Sequence, residues 1–440
     1  MSSRFERQLA QGRLSRAQFL RMVGGLAVAG AVPAGLAACG NGKSGSGSAD
    51  KATLNVVGVA DQKPPLDELT KAYTGSNPGV TFKTSFAPTD QVQTSIRAQL
   101  GAGNAPDVHV VYPGDGSSMS MSQIAKAGLL ADLSDQAWTS MIPGNFKPAL
   151  QYQNKTSMFS AGSSVIGAIY NKSVFQQAGA SIPTTWPELL AACEKIKQAG
   201  KVPIALGAQT PWVTQLITYA LVPSTVYVDT PDFDDQQQAG KTSFAKSGWR
   251  KAFEMYLDLQ AKGYFNDNVN GTTYEQATAM VATGKAAMAV QVSAVLSAFR
   301  DAATNKDDLS MFPFPGADTA DKVWIPAGVV VGLGVHARGK NLAAAKAFVE
   351  YLGKQENINA WAKAIAAIPL HQDANSTIDP ALESLLPLVK ANKAVPFMDQ
   401  RWPNAEVQPT HFAVVQDLLA KKITIDDALK KMDDAYGKKS

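Results

Sequence analysis

Residues 165–207, VIGAIYNKSVFQQAGASIPTTWPELLAACEKIKQAGKVPIALG, decide the fold. The stretch opens with a β-branched apolar run, VIGAIY, of a length that suits a buried strand. At Thr185-Trp186-Pro187-Glu188 the spacing fits a capping box, with Thr185 as N-cap and Glu188 reaching back to its amide. The helix so started carries Leu189, Cys193 and Ile196 on one face and stops at Gly200. VPIALG is the next strand. Strand, helix and strand at this spacing predict βαβ organisation and an open α/β sheet. Cys193, on the apolar face, reads as a small core residue rather than a nucleophile.

The same alternation extends in both directions. Upstream, Ala52 to Val59 is a strand, and Leu66, Leu69 and Tyr73 recur at helical spacing. SNPGV is a turn, VTFKTSF a strand, and VQTSIRAQLGAG a helix stopped by glycine. DVHVVY reads as a buried parallel strand. Downstream, helices are expected over 247–262, over TYEQATAMVATG and over SAVLSAF, the last capped by Ser293, with AAMAVQ as the strand between. VWIPAGVVVGLGV is β-rich, NLAAAKAFVEYLG is an amphipathic helix, and the last hundred residues read mainly helical. At 440 residues the chain needs two packed cores, since one domain commonly holds about 100–200 residues. Charged residues are 18% and hydrophobic residues 45%, a globular balance.

The formal charge of +4 does not indicate an anionic partner. Residues 1–38 hold Arg4, Arg7, Arg13, Arg16 and Arg21 against Glu6 alone, so this segment accounts for the whole excess. No basic patch is left to explain, and nucleic-acid binding is not expected. A basic start, the apolar run MVGGLAVAGAVPAGLAA and small residues before a junction are the features of a secretory signal. A spanning helix would need about 20 apolar residues with fewer glycines. Leu36-Ala37-Ala38-Cys39 resembles the lipobox of bacterial lipoproteins, in which the cysteine sulfur carries a diacylglycerol. Two or more acyl chains make a stable anchor at ~0.8 kcal/mol per buried CH₂. Residues 1–38 are thus expected to be removed, Cys39 to be the lipid attachment and 39–51 a Gly/Ser-rich tether. Ser15 to Arg21 resembles a twin-arginine export signal whose second arginine is replaced by Ala17, which leaves the export route open.

Catalytic and cofactor signatures are weak. Gly42-Lys43-Ser44 lacks the preceding strand and leading glycine of a phosphate loop. Gly332-Leu333-Gly334-Val335-His336-Ala337 matches a dinucleotide fingerprint loosely, but its second half still reads as strand, so close packing explains it better. His109, His336, His371 and His411 stand far apart and form no metal-ligand spacing. Neither metal nor cofactor is expected.

From Tyr170 onward, YNKSVFQQAGASIPTTWPELLAACEKIKQAG resembles the signature of extracellular solute-binding proteins of carbohydrate-uptake ABC transporters, the maltose-binding-protein type. NPGV at 77–80, GAGNAPDV at 101–108, LADLSD at 130–135, GKAAM at 284–288 and AKAFVEYL at 345–352 follow in family order. The resemblance implies a two-lobed type II periplasmic-binding-protein fold. Each lobe would be a mixed, mainly parallel sheet flanked by helices, with ligand in the cleft between them. Lobe 1 is expected to comprise 52–162 and 323–355, and lobe 2 163–322 and 356–440. The chain would cross near 160–164, 315–325 and 353–370. The implied partners are a carbohydrate, ABC permease subunits and, through the lipid, a membrane. The protein is expected to act as a monomer at the outer face of the cell membrane, without catalysis. Another polar solute (a polyol, glycerophosphodiester or peptide) and cell-surface glycan hydrolysis are the competing readings.

Open α/β sheets bind ligands beyond strand C-termini, which nominates the segments that follow the strands. Sugars show hydroxyls at their edges and C–H faces above and below, so amides, carboxylates and aromatic rings suit them. On this basis Asp61, Gln62, Tyr112, Asp115, Gly162, Trp212, Gln291, Gln400 and Trp402 are the candidate ligand-binding residues.

Overall fold

A computed structural model describes residues 51–438. The expected signal peptide, Cys39 and all of the tether but Lys51 lie outside the described residues. In chain order the strands are β1 (Ala52–Val59), β2 (Val80–Ala87), β3 (Val108–Val111), β4 (Gln151–Tyr152), β5 (Lys155–Thr156), β6 (Gly162–Asn171), β7 (Val202–Ile204), β8 (Ala286–Val292), β9 (Leu309–Phe312), β10 (Ile325–Val329), β11 (Gly332–Val335), β12 (Ile368–Pro369) and β13 (Ala394–Val395).

The first sheet has the order β11-β3-β1-β2. β1 runs parallel to both β2 and β3, and β11 closes the edge antiparallel to β3. All four residues of β3 are buried, as a strand covered on both faces requires. Helix Thr89–Ala102 packs here through Val92, Ile96 and Leu100, spaced by four. It ends where Gly103 adopts φ 71°, a left-handed conformation that only glycine takes without strain. Gly332 and Gly334 serve packing: a Cβ on Gly332 would lie 1.9 Å from the Phe159 carbonyl oxygen.

The second sheet has the order β13-β10-β6-β8-β7, with β9 and β12 also pairing β6. Here the expected mainly parallel arrangement gives way. β6 is antiparallel to β8, β9, β10 and β12, and only the β7–β8 and β10–β13 pairs are parallel. The strands read from 165–207 are therefore not neighbours, because β8 lies between β6 and β7. Helix Trp186–Gln198 forms as expected and buries Leu189, Cys193 and Ile196. Its cap differs in one detail. The Thr185 hydroxyl accepts from the Glu188 amide, but Glu188 accepts from the amide and hydroxyl of Thr184 rather than the amide of Thr185. The run from Ser293 is a 3-10 turn, Ser293–Val295, before helix Leu296–Ala302; Ser293 spends its hydroxyl on Ser164, not on a cap.

Core membership shows where the chain passes between the halves. One hydrophobic cluster joins Leu54 through Ala161 to Val329 through Leu370. The second half is built on Val165 through Ile325 and on Ala366 through Ala435. Two expected boundaries shift. Residues 323–328 belong with the second sheet, since β10 pairs β6 and β13. Helix Gln355–Ala364 stays with the first core, because Ile358, Trp361 and Ala362 form its buried face there. The passages accordingly fall at about 160–163, 329–332 and 365–370, so 315–325 is not a crossing.

Candidate functional site

A cavity opens between the two sheets, enclosing about 1060 Å³ with the open solvent at its mouth included. The first sheet contributes the turns beyond its parallel strands. After β1 the 3-10 turn Ala60–Gln62 presents Asp61 and Gln62; after β2 the next helix presents Thr89 and Gln93; after β3 comes Tyr112. From the second half come Trp212 in the turn Pro211–Val213, Gln215 and Tyr219 on helix Gln215–Val222, Asp399 and Gln400 in the turn Met398–Gln400, and Gln408 and Phe412 on helix Val407–Leu419.

Five of the sequence-nominated residues therefore meet at one cavity: Asp61, Gln62, Tyr112, Trp212 and Gln400. Their duties differ. Gln62 is buried, with Oε1 accepting from the Val59 amide and Nε2 donating to the Val331 carbonyl at 3.2 Å each. Gln400 grips one residue of β10: its Oε1 accepts from the Val329 amide at 3.3 Å and its Nε2 donates to the Val329 carbonyl at 2.8 Å. Both amides thus pin the chain where it passes between the halves. Trp212 is half-buried, its ring tilted against Tyr274 with centroids 5.0 Å apart. Asp61 is half-buried too, and burial, reinforced by the Glu275 carboxylate, pushes its carboxyl up to about 6. Burial raises the Tyr112 hydroxyl to about 12, against the opposing effect of hydrogen bonds with Gln93 and Thr89.

The other four nominated residues do not line the cavity. Asp115 accepts from Gln123 Nε2 at 2.6 Å within its own loop. Gly162 begins β6 against β12, where a Cβ would meet the Ile368 carbonyl oxygen at 2.2 Å; its role is close backbone approach. Gln291 is buried in β8 opposite Gly167, one residue short of Val292, which does line the cavity. Trp402 is 1% exposed, enclosed by Tyr219, Phe244, Trp249 and His411. Its expected role as an open platform is corrected: the indole is core.

Sequence reading missed Thr89, Gln93, Gln215, Tyr219, Asp399, Gln408 and Phe412, all of which line the cavity. Six of them pair at i, i+4 on three helices: Thr89 with Gln93, Gln215 with Tyr219, Gln408 with Phe412. Two of these helices are tied across the floor, where Gln408 Nε2 donates to Gln215 Oε1 at 3.2 Å. The Asp399 carboxyl is held up at about 6 by burial, relieved in part by Tyr219. Among the described residues, no group of three or more His, Cys, Asp or Glu could hold a metal ion.

A cleft between two α/β halves, lined by residues that follow their strands, is the architecture of a ligand-capturing protein. The family of bacterial extracellular solute-binding proteins matches residues 59–358, and the chain belongs to it. The family's members work outside the cytoplasm. The chain is 25% identical over 398 residues to the multiple sugar-binding protein of Streptococcus mutans, covering 88% of this chain and 91% of that one. A probable sugar-binding periplasmic protein of Rhizobium meliloti is 30% identical over 205 residues, covering 45% and 47% of the two chains. Among solved structures, a chitin oligosaccharide binding protein superposes with a TM-score of 0.76 at 25% identity, over 88% of this chain and 98% of that one.

Proposed function

We propose that this solute-binding protein captures a carbohydrate between its lobes and delivers it to the permease of an ABC transporter, performing no chemistry on it. The observation that carries this reading is the cavity wall: half-buried Trp212, Tyr112 and Phe412 line it together with Asp61, Gln93 and Gln215, contributed from both halves. Rings suit the C–H faces of a sugar, and carboxylates and carboxamides suit its hydroxyls. On this reading lobe 1 is 52–161 with 330–364, lobe 2 is 162–329 with 371–438, and the three passages, the last of them 365–370, are the hinge. Ligand bridging both walls closes the hinge, and the closed form is what the permease accepts. A thermal-shift screen against a sugar library tests the capture step. A cognate sugar at 100 times its Kd adds ~2.7 kcal/mol of stability, and a library with no hit ends the carbohydrate reading.

The protein is anchored as a monomer at the outer face of the membrane through a diacylglycerol on Cys39, a role supported by Leu36-Ala37-Ala38-Cys39 and the Gly/Ser-rich stretch after it. Metabolic labelling with an alkyne fatty acid marks the wild type and not Cys39→Ala; equal label in both removes the anchor.

A further inference from the structure

The cavity carries charge of one sign only. Asp61 on one lobe and Asp399 on the other line it, and among the described residues no Lys, Arg or His does. No cation is among the groups that bias either carboxyl. Glu275 adds negative potential to both Asp61 and Asp90. Beside Asp399 stands Tyr219, a residue only 1% exposed that also lines the cavity; its hydroxyl faces the Asp399 carboxylate and brings no charge to balance it. A carboxylate drawn into a cavity without a counter-charge is costly, so the arrangement favours a ligand that supplies one. Such a ligand brings positive charge and N–H donors. The rings of Trp212, Tyr112 and Phe412 can also hold a cation over their faces.

We propose, building on the carbohydrate reading, that this cavity selects a sugar bearing an ammonium group over the same sugar with a hydroxyl there, and rejects anionic solutes. The ammonium takes the space between the walls, donating to Asp61 or Asp399. A phosphate or uronate in the same place would meet two carboxylates and no cation.

The selection carries a pH dependence with a defined sign. Glu275, Asp90, Tyr112 and Tyr274 surround Asp61, and Tyr219 faces Asp399; none of these groups is cationic. In the empty protein both carboxyls titrate at about 6. An ammonium binds their ionised forms, so binding releases protons below neutrality, and affinity falls as pH drops through that range. For each engaged carboxyl the loss is about tenfold between pH 7 and pH 5.

Calorimetry on the purified protein tests this with matched pairs: cellobiose against the β-1,4-linked glucosamine dimer, glucose and galactose against their 2-amino and 6-amino counterparts, and glucuronate as the anion. At pH 7 an ammonium sugar is expected to bind at least about tenfold tighter than its parent alcohol. That advantage should shrink about tenfold or more at pH 5, and glucuronate should not bind. Asp61→Asn or Asp399→Asn should reduce the ratio of the two affinities. Parent alcohols binding as tightly as, or more tightly than, every ammonium counterpart would overturn the proposal and leave the carbohydrate reading standing. So would glucuronate binding as well as glucose. No binding by any sugar would remove the carbohydrate reading and this proposal together.

Discussion

The loops around Trp212 and Trp402 look alike in sequence: each sets a tryptophan beside a proline, Pro211 before one and Pro403 after the other. In the folded protein they part company. Trp212 stays half-buried on the cavity wall, leaning on Tyr274. Trp402 sits among Tyr219, Phe244, Trp249 and His411 and sees no cavity. A rigid loop can hold a ring still, but what lies opposite the ring decides whether a ligand can reach it. Opposite Trp402 two helices, Trp249–Ala261 and Val407–Leu419, close over the indole with their own aromatic side chains. Trp212 shares its cavity with residues of the other half, Asp61, Gln93 and Tyr112 among them.

The largest expected effect separates these two rings. Trp402→Ala leaves a void in a closed aromatic cluster and is expected to cost about 3–5 kcal/mol of stability. A denaturant melt of the apo protein reads it. If the midpoint hardly moves, the cluster is not the packed core described above.

Next comes acid, acting on the same cluster. His411 stacks on Tyr219 at 8° between planes, and both its ring nitrogens lack hydrogen-bond partners. Burial pushes its pKa down to about 3. The unfolded chain takes up a proton at His411 below about 6.5, whereas the native state resists until about 3. Stability is therefore lost as pH falls through that window, by about 3 kcal/mol at pH 4 from this residue. His411→Phe keeps a ring there without the titrating nitrogens. The fall in melting temperature from pH 7 to pH 4 should be smaller in that variant, and an equal fall would place the acid sensitivity elsewhere. His109, lowered by burial to about 4 in β3, adds a second contribution of the same sign that this variant leaves untouched.

Trp212→Ala should act on ligand rather than on fold. Losing the platform is expected to weaken sugar binding by about 1–3 kcal/mol, roughly 5- to 150-fold in Kd. The apo melt should move far less than in Trp402→Ala. Unchanged affinity for the cognate ligand would leave Trp212 as wall and nothing more. The smallest effect is Pro211→Ala, which frees the backbone beside the platform and should cost about 0.4–1 kcal/mol, read as a small loss of affinity or melting temperature.

Much of the fold was legible because it is written in local patterns. The run at β3, the four-residue spacing of Val92, Ile96 and Leu100, and the Thr185 cap each announce an element without help from the rest of the chain. Strand order was not, because antiparallel pairing of β6 with four partners depends on contacts more than a hundred residues apart in several cases. In the cavity, residues following strands could be nominated by rule, and Asp61, Gln62, Tyr112 and Trp212 are of that kind. The helix-borne pairs could not. Gln215 and Gln408 look like any polar helix residue until their helices converge. The repeated pairing of a carboxamide with a ring at i, i+4, seen in Gln215–Tyr219 and Gln408–Phe412, is the one trace they left.

Gly114 and Gly116, in the loop after Tyr112, meet the turn that carries Asp399 and Gln400 backbone to backbone. The Gly116 amide donates to the Asp399 carbonyl at 2.9 Å, and a Cβ on Gly116 would lie 2.3 Å from that oxygen. In a protein whose ligand must close a hinge, observed affinity is intrinsic affinity scaled by the fraction of molecules able to adopt the closed shape. One methyl group at this latch would act as a wedge against the Asp399 turn, lowering that fraction and shifting a residue of the cavity wall. These two glycines thus bear on the working range of the protein and on the placement of Asp399 and Gln400 together, so a change there is expected to move both affinity and preference.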